Sequence, residues 1–237
     1  MNGIRSSITY GRESIPFEVL LANRKTMEIA VHPDKRVVVK APVGTDLLII
    51  KTRLIKRARW IKRQMDYFGQ FYPPTPARRY VGGESHLYMG RQYRLKIGAG
   101  ELNQVKLVRG YFRITTNGNA APERVKRLLN RWYAGKARER FEEILSRCLP
   151  EFERLGQAAP SLSIRRMKSR WGSLSPNGTL TLNVELIRAP RECIEYVIIH
   201  ELCHLKHRLH DGAFYRLLEQ RMPDWEKRKH KLELALV

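Results

Sequence analysis

The sequence predicts an α+β protein, with an N-terminal β-rich region carrying a basic helix and a C-terminal domain built around a histidine-rich helix. Three observations lead there. Short apolar strand signals bounded by turn residues fill the first forty positions and return between about Arg79 and Asn117. Apolar residues then recur at three- and four-residue steps in three long stretches, the spacing of one helical face. Finally, four of the seven histidines fall between His200 and His210.

The strand signals are ITY at 8–10, IPFEVLLA at 15–22, MEIAV at 27–31 and VVVKAP at 37–42. MEIAV and VVVKAP are joined by His32 to Arg36, a hairpin with a Pro-Asp turn. From Thr45, placed as an N-cap, Leu47, Leu48, Ile50, Leu54, Ile55, Ala58, Ile61 and Met65 mark a helix to about Phe71. The proline cluster after Tyr72 stops it, which suggests a region 1–72, a linker 73–79 and a domain 80–237, or one continuous domain 1–237.

Beyond the linker, RYVGGESHLYMGRQYRLKI, QVKLVRG and YFRITTN supply a second set of strands. Pro122 opens a long helix with Val125, Leu128, Leu129, Trp132, Tyr133, Ala137, Phe141, Ile144 and Leu145 on its buried stripe. Thr179 to Ile187 alternates apolar and polar residues after a Pro-Asn-Gly turn and predicts a half-buried strand. Pro190 opens the next helix, and segments near 212–222 and 224–236 close the chain. No internal repeat is visible.

Composition narrows the class of protein. The 237 residues carry 45 Lys+Arg against 23 Asp+Glu, a formal charge of +22, yet 43% are hydrophobic. That apolar fraction argues against general disorder, and no run approaches the length of a membrane span. Three cysteines without a CxxC pair fit a reducing, cytoplasmic setting.

His200-Glu201-Leu202-Cys203-His204 is an HExxH sequence. On a helix His200 and His204 stand one turn apart and can share a metal ion, while Glu201 can reach a water beside it. His207 lies on the same face but about 10.5 Å further along the axis from His200, too far for a tetrahedral corner. A turn just after His207, with Asp211-Gly212 following, would instead fold His210 over the site, making it the third ligand. His207 is left as a supporting or surface residue, and Asp211 as a support of the turn. Cys203 is a rival ligand, but packing as a buried thiol suits it better. Isolated His32, His86 and His230 are expected simply to be solvated.

These stretches resemble the YgjP-like metal-dependent hydrolases, relatives of the SprT-like and WLM-type zincins. The resemblance rests on IEYVIIHELCHLKHRLHDGAFY, on Lys168-Ser169-Arg170-Trp171-Gly172-Ser173, and on Gly178 through Asn183. Pro223-Asp224-Trp225 with Arg228, Trp132-Tyr133 and the VGG at 81–83 match as well. One departure is Leu174, where the family usually has cysteine in WGSCS. The resemblance implies a zincin-like C-terminal domain with Zn²⁺ on His200, His204 and His210, and Glu201 as general base. It also implies an antiparallel strand flanking the active-site helix, for which Thr179 to Ile187 is the candidate, pairing with an extended substrate. Arg170, Trp171, Asn183 and Tyr215 are candidate substrate contacts, and Phe214 either packs the His210 turn or serves as a core aromatic.

The basic residues concentrate in three places. These are Lys51 to Arg63 with seven cations in thirteen residues, Arg124 to Arg140, and Arg165 to Arg170. The first two read as solvated helix faces, whereas Arg165, Arg166, Lys168 and Arg170 would line the cleft. Three functions follow: a zinc metallopeptidase acting on peptide or protein, a nucleoside triphosphate pyrophosphohydrolase meeting an anionic nucleotide, or a nucleic-acid-binding protein with a non-catalytic metal site. Intact Glu201 counts against the third.

Overall fold

The computed structural model describes residues 4–32, 34–69, 77–168 and 170–236. It has two compact units, Met1–Thr75 and Pro76–Val237. Most of the expected linker, 73–76, lies outside the described residues, as does the end of the first helix beyond Gly69.

The first unit is a four-stranded sheet with one helix. Strands β1 (Ile4–Tyr10), β2 (Glu13–Ala22), β3 (Glu28–Val31) and β4 (Val37–Pro42) lie in the order β1-β2-β4-β3. The β1-β2 and β3-β4 pairs are antiparallel, and β2-β4 is parallel. Helix α1 (Leu47–Gly69) buries Ile50, Leu54, Ala58 and Ile61 against Ile8, Ile15, Phe17, Val19, Val37, Val39 and Ala41. Its apolar stripe is narrower than the sequence suggested: Leu48 and Ile55 are 70% and 52% exposed, because they lie on the side of the helix away from the sheet. The N-cap is Asp46, whose carboxylate accepts the Leu48 N–H at 2.8 Å, while the Thr45 hydroxyl turns back to the Pro42 carbonyl.

The second unit begins by repeating that arrangement. Strands β5 (Ser85–Tyr88), β6 (Arg91–Ala99), β7 (Gln104–Val108) and β8 (Tyr111–Thr116) lie in the order β5-β6-β8-β7, with the same antiparallel, parallel and antiparallel pairings, and helix α2 (Pro122–Glu153) follows. Even the register corresponds. Ile8 pairs with Ile15 where His86 pairs with Tyr93, Phe17 with Val37 where Leu95 pairs with Phe112, and Val39 with Ile29 where Ile114 pairs with Val105. The expectation of no internal repeat is therefore wrong at the level of structure. The repeat is carried by strand order and buried-side polarity, which many different side chains satisfy.

After α2 the second unit adds a three-stranded sheet and three helices. Strands β9 (Ser161–Arg165), β10 (Gly172–Leu174) and β11 (Thr179–Asn183) lie in the order β10-β11-β9. A 3₁₀ turn, Val184–Arg188, leads to α3 (Arg191–Cys203), α4 (Gly212–Arg221) and α5 (Trp225–Leu236). The predicted strand Thr179–Ile187 thus ends at Asn183, whose side chain accepts the Glu185 N–H and starts the 3₁₀ turn. It is also a central strand, parallel to β9 and antiparallel to β10, so its backbone is already paired on both sides.

Helix α3 is buried on nearly all sides, from Cys193 to Cys203, within one core shared with α2 and the second four-stranded sheet. The β5-β6 turn anchors it. Met89 and Gly90 donate their N–H groups to Ile187 and Arg188 carbonyls, and Gly90 sits so close to Pro190 that a Cβ there would lie 2.9 Å from the proline Cα. Pro190 is the residue that starts α3. Tyr133 of α2 adds a hydrogen bond from its hydroxyl to the Leu87 carbonyl, 2.6 Å.

Candidate metal centre

His200 and Glu201 stand in the last turn of α3, and His204 is the residue at which the helix stops. The ending is tight: the N–H groups of His204, Leu205 and Lys206 reach back three residues to Glu201, Leu202 and Cys203. The chain therefore turns before His207, rather than after it as the helix argument supposed. Asp211 then caps α4, accepting the N–H groups of Ala213 and Phe214 at 3.0 and 2.9 Å. These two devices return His210 to the helix it left.

One ring nitrogen from each of His200, His204 and His210 lies within 4.8 Å of the others. The Nε2 atoms of His200 and His210 are 3.0 Å apart, close to the roughly 3.3 Å separating two nitrogens on one tetrahedral ion. The fully buried ring of Phe214 underlies all three, with centroids 5.0, 4.6 and 4.7 Å from His200, His204 and His210. His204 Nδ1 lies 2.9 Å from the His207 carbonyl, so a proton donated there leaves Nε2 free as a ligand. It is thus the backbone of His207, not its ring, that supports the cluster.

The electrostatics fit a cation. Burial, with His204, His210 and Lys229 nearby, pushes the His200 imidazole down to about 3, so it is neutral at physiological pH. Burial lowers His210 as well. His200 Nδ1 is buried without a hydrogen-bond partner among the described residues. Imidazole nitrogens facing one another at 3.0 Å gain little from each other and much from a shared divalent ion.

Glu201 faces the same cavity but is only 7% exposed. Burial pushes its carboxyl up to about 7 against the opposing pull of the Leu174 N–H and the Arg170 guanidinium. Its side chain fits because residue 172 is glycine. A Cβ there would come within 2.7 Å of Glu201 Cγ and 2.8 Å of Oε1. The departure from cysteine at Leu174 leaves this contact intact, since it uses the backbone.

The cavity holds about 590 Å³, with α3 and the His210 loop on one side and Gly172 to Pro176 with Gly178 on the other. Inward bonds from the β11 side use the Trp171 carbonyl and the Ser175 N–H, so the backbone groups of Gly172 and Leu174 point outward, toward Glu201. The strand edge at the site is therefore that of β10, which the sequence did not reveal as a strand. A smaller cavity of about 180 Å³ shares His200 and Glu201 and is walled by Trp171, Tyr196, Val197 and Leu232.

Other expected contacts divide. Arg170 lines the main cavity, joined by Arg208, which the sequence argument missed although it lies inside the histidine loop. Arg166 instead pairs with Glu185 at 2.7 Å, and Arg165 and Lys168 do not line the cavity. Asn183 is buried, and its amide donates to the Met167 and Arg170 carbonyls, so it clips the 167–170 loop and is not presented to a substrate. Tyr215 stands beside His210, 6.3 Å between ring centroids, but outside the cavity wall. Cys203 is fully buried with its thiol pushed up to about 12, a packing residue. Cys148 and Cys193 are likewise buried and free.

Among solved structures, the chain is similar to the zymogen of jannalysin from Methanocaldococcus jannaschii. Identity is 23%, 41% of this chain and 97% of that one are covered, and the TM-score is 0.37. It is also similar to the zymogen of abylysin from Pyrococcus abyssi, at 28% identity over 41% and 99% of the two chains, with a TM-score of 0.34. Both are metallopeptidase zymogens. No curated protein gives a significant match. The YgjP-like metallopeptidase domain, in contrast, matches residues 25–235, which takes in β3, β4 and α1 of the first unit, the second four-stranded sheet, the HExxH helix and the His210 loop, and the chain belongs to that family.

Proposed function

We propose that the protein is a zinc-dependent peptidase with a zincin-like C-terminal domain. The observation that carries this is the convergence, at one cavity, of three imidazoles and a buried carboxyl beside an outward-facing strand edge. His200, His204 and His210 hold the ion. Bound there, zinc would supply Lewis acidity to a water and to the scissile carbonyl. An extended peptide pairs with the β10 edge through the backbone of Gly172 and the Leu174 carbonyl, in the manner of an added strand. Glu201 takes the proton of the attacking water on its carboxylate and delivers it to the leaving amine nitrogen. The Leu174 N–H and the Gly172 cradle fix the rotamer from which it does so. Trp171 walls the smaller cavity, where a side chain of the substrate is received.

Arg170 and Arg208 on the rim favour a second reading, in which the substrate is an anionic nucleotide cleaved between α and β phosphates. One experiment separates the two. Zinc-loaded protein is incubated with casein and, in parallel, with the four nucleoside triphosphates, with Glu201→Gln as the blank. Peptide cleavage at least about a hundredfold above the blank is expected. Pyrophosphate release without peptide cleavage overturns the first reading, and an active Glu201→Gln variant removes Glu201 from the mechanism. Gly172→Ala, which displaces the Glu201 side chain without changing any ionisable group, is expected to lower turnover about a hundredfold while zinc content by metal analysis stays unchanged.

A further inference from the structure

The cations of α1 differ in use from four cations of α2. On α2, Lys136, Arg138, Arg140 and Arg147 each pair with a glutamate of the same helix. On α1, among the described residues, only Lys62 has a carboxylate partner, Glu13. Lys51, Arg53, Lys56, Arg57, Arg59 and Arg63 have none. Unpaired cations held at helical spacing repel one another, a standing cost that a polyanion relieves.

Three of them surround a cavity. Arg53, Lys56, Arg57 and Trp60 of α1 form one side, and Met27 and Ile29, at the edge strand β3, the other, enclosing about 390 Å³. No carboxylate lines it. Trp60 is 38% exposed, which leaves part of its indole open to a partner. An apolar floor, an indole wall and a cationic rim match the parts of a nucleotide within a strand: a flat base to stack and phosphates to neutralise.

We infer that this cavity between α1 and β3 binds single-stranded nucleic acid, with a base against Trp60 and phosphates on Arg53, Lys56 and Arg57. A single strand is required because a paired base cannot enter a pocket. The site lies wholly within the first unit and uses none of the metal-binding residues.

The test uses the full chain and labelled twenty-nucleotide oligo-dT and oligo-U, with duplex DNA, polyglutamate and phosphatidylserine vesicles for comparison. Binding is measured by anisotropy, and by sedimentation for vesicles, across a salt series. Both single strands are expected to bind at least tenfold more tightly than duplex or polyglutamate, and their ratio identifies RNA or DNA as the source. Arg53→Gln/Lys56→Gln/Arg57→Gln is expected to flatten the salt slope by about 2 for three lost phosphate contacts. Trp60→Ala is expected to weaken binding roughly tenfold with the slope unchanged. Lys136→Gln/Arg138→Gln/Arg147→Gln removes the same charge from α2 and is expected to change affinity less than twofold. Equal losses from the two triple variants, binding as tight to polyglutamate, or a Trp60 effect confined to vesicles would each overturn the proposal. Photo-crosslinking of a bromouracil oligonucleotide to the unaltered chain needs no variant: adducts on Trp60 or β3 support the site, and adducts only elsewhere refute it.

Discussion

The two four-stranded modules share strand order, pairing and register, yet they serve different ends. In the second module, the turn between the first two strands is locked to the rest of the unit: Gly90 presses on Pro190 and its N–H is bonded to Arg188. In the first, the corresponding turn at Gly11 has nothing within 4 Å of where a Cβ would be. Likewise Tyr88, which closes its hairpin, is buried, whereas Tyr10 at the matching position is 39% exposed. The same backbone plan is a structural support for the HExxH helix in one place and a nearly self-contained module in the other. What differs is the chain that follows, since α2 leads on to the 3₁₀ turn and Pro190, against which the β5-β6 turn is fixed.

Alanine at the two turn glycines should show the largest contrast. Both have positive φ, so Gly11→Ala bears only the backbone cost of about 1–2 kcal/mol. Gly90→Ala adds the collision with Pro190 and is expected to cost about 3–5 kcal/mol, read by urea denaturation of each variant. Equal losses would mean that the turn does not anchor α3.

Next come the two aspartates that start helices. Asp46→Ala and Asp211→Ala both remove a side-chain cap and should lower stability modestly. Only Asp211→Ala should also weaken zinc binding, about tenfold in a chelator competition, because that cap fixes the turn carrying His210.

The smallest effect concerns pH. Where the first module buries Ile8, the second buries His86, whose Nε2 lies 3.0 Å from Glu84. Glu84 also accepts the N–H groups of Arg79 and Tyr80. Burial holds the His86 imidazole below its ordinary 6.5 despite that carboxylate. The unfolded chain therefore binds this proton more readily, and stability is lost as pH falls below about 6.5, by at most about 1.4 kcal/mol per pH unit. His200 and His210 act in the same direction, so the difference between wild type and His86→Gln isolates this residue. A variant with an identical pH profile would remove it as a contributor.

Much of the candidate site was legible before the structure, because it is local. His200, Glu201 and His204 are placed by helical spacing alone, and the Asp211-Gly212 turn pointed to His210. Most strands of the two four-stranded sheets were visible in the alternation, but β9 (SLSIR) was missed although it alternates over five residues. What else escaped were short or non-local features. β10 has three residues, too few for any period, and β11 was overextended because Val184 to Ile187 continues the alternation while the backbone turns at Asn183. His86 looked solvated because nothing adjacent to it shows that Tyr80 and Glu84 fold over it.

By itself, the sequence determined the chemistry: an HExxH helix with a third histidine in reach, and an excess of positive charge. Tertiary structure decided where each part is used. Gly172 is a cradle only because Glu201 packs on it, and Asn183 is a clip only because the 167–170 loop crosses it. The cations of α1 stand apart from Lys136, Arg138, Arg140 and Arg147 of α2 only once their partners are known. Periodicity records which face of a segment is apolar, but not which neighbour covers it, and that pairing arises only when distant segments meet.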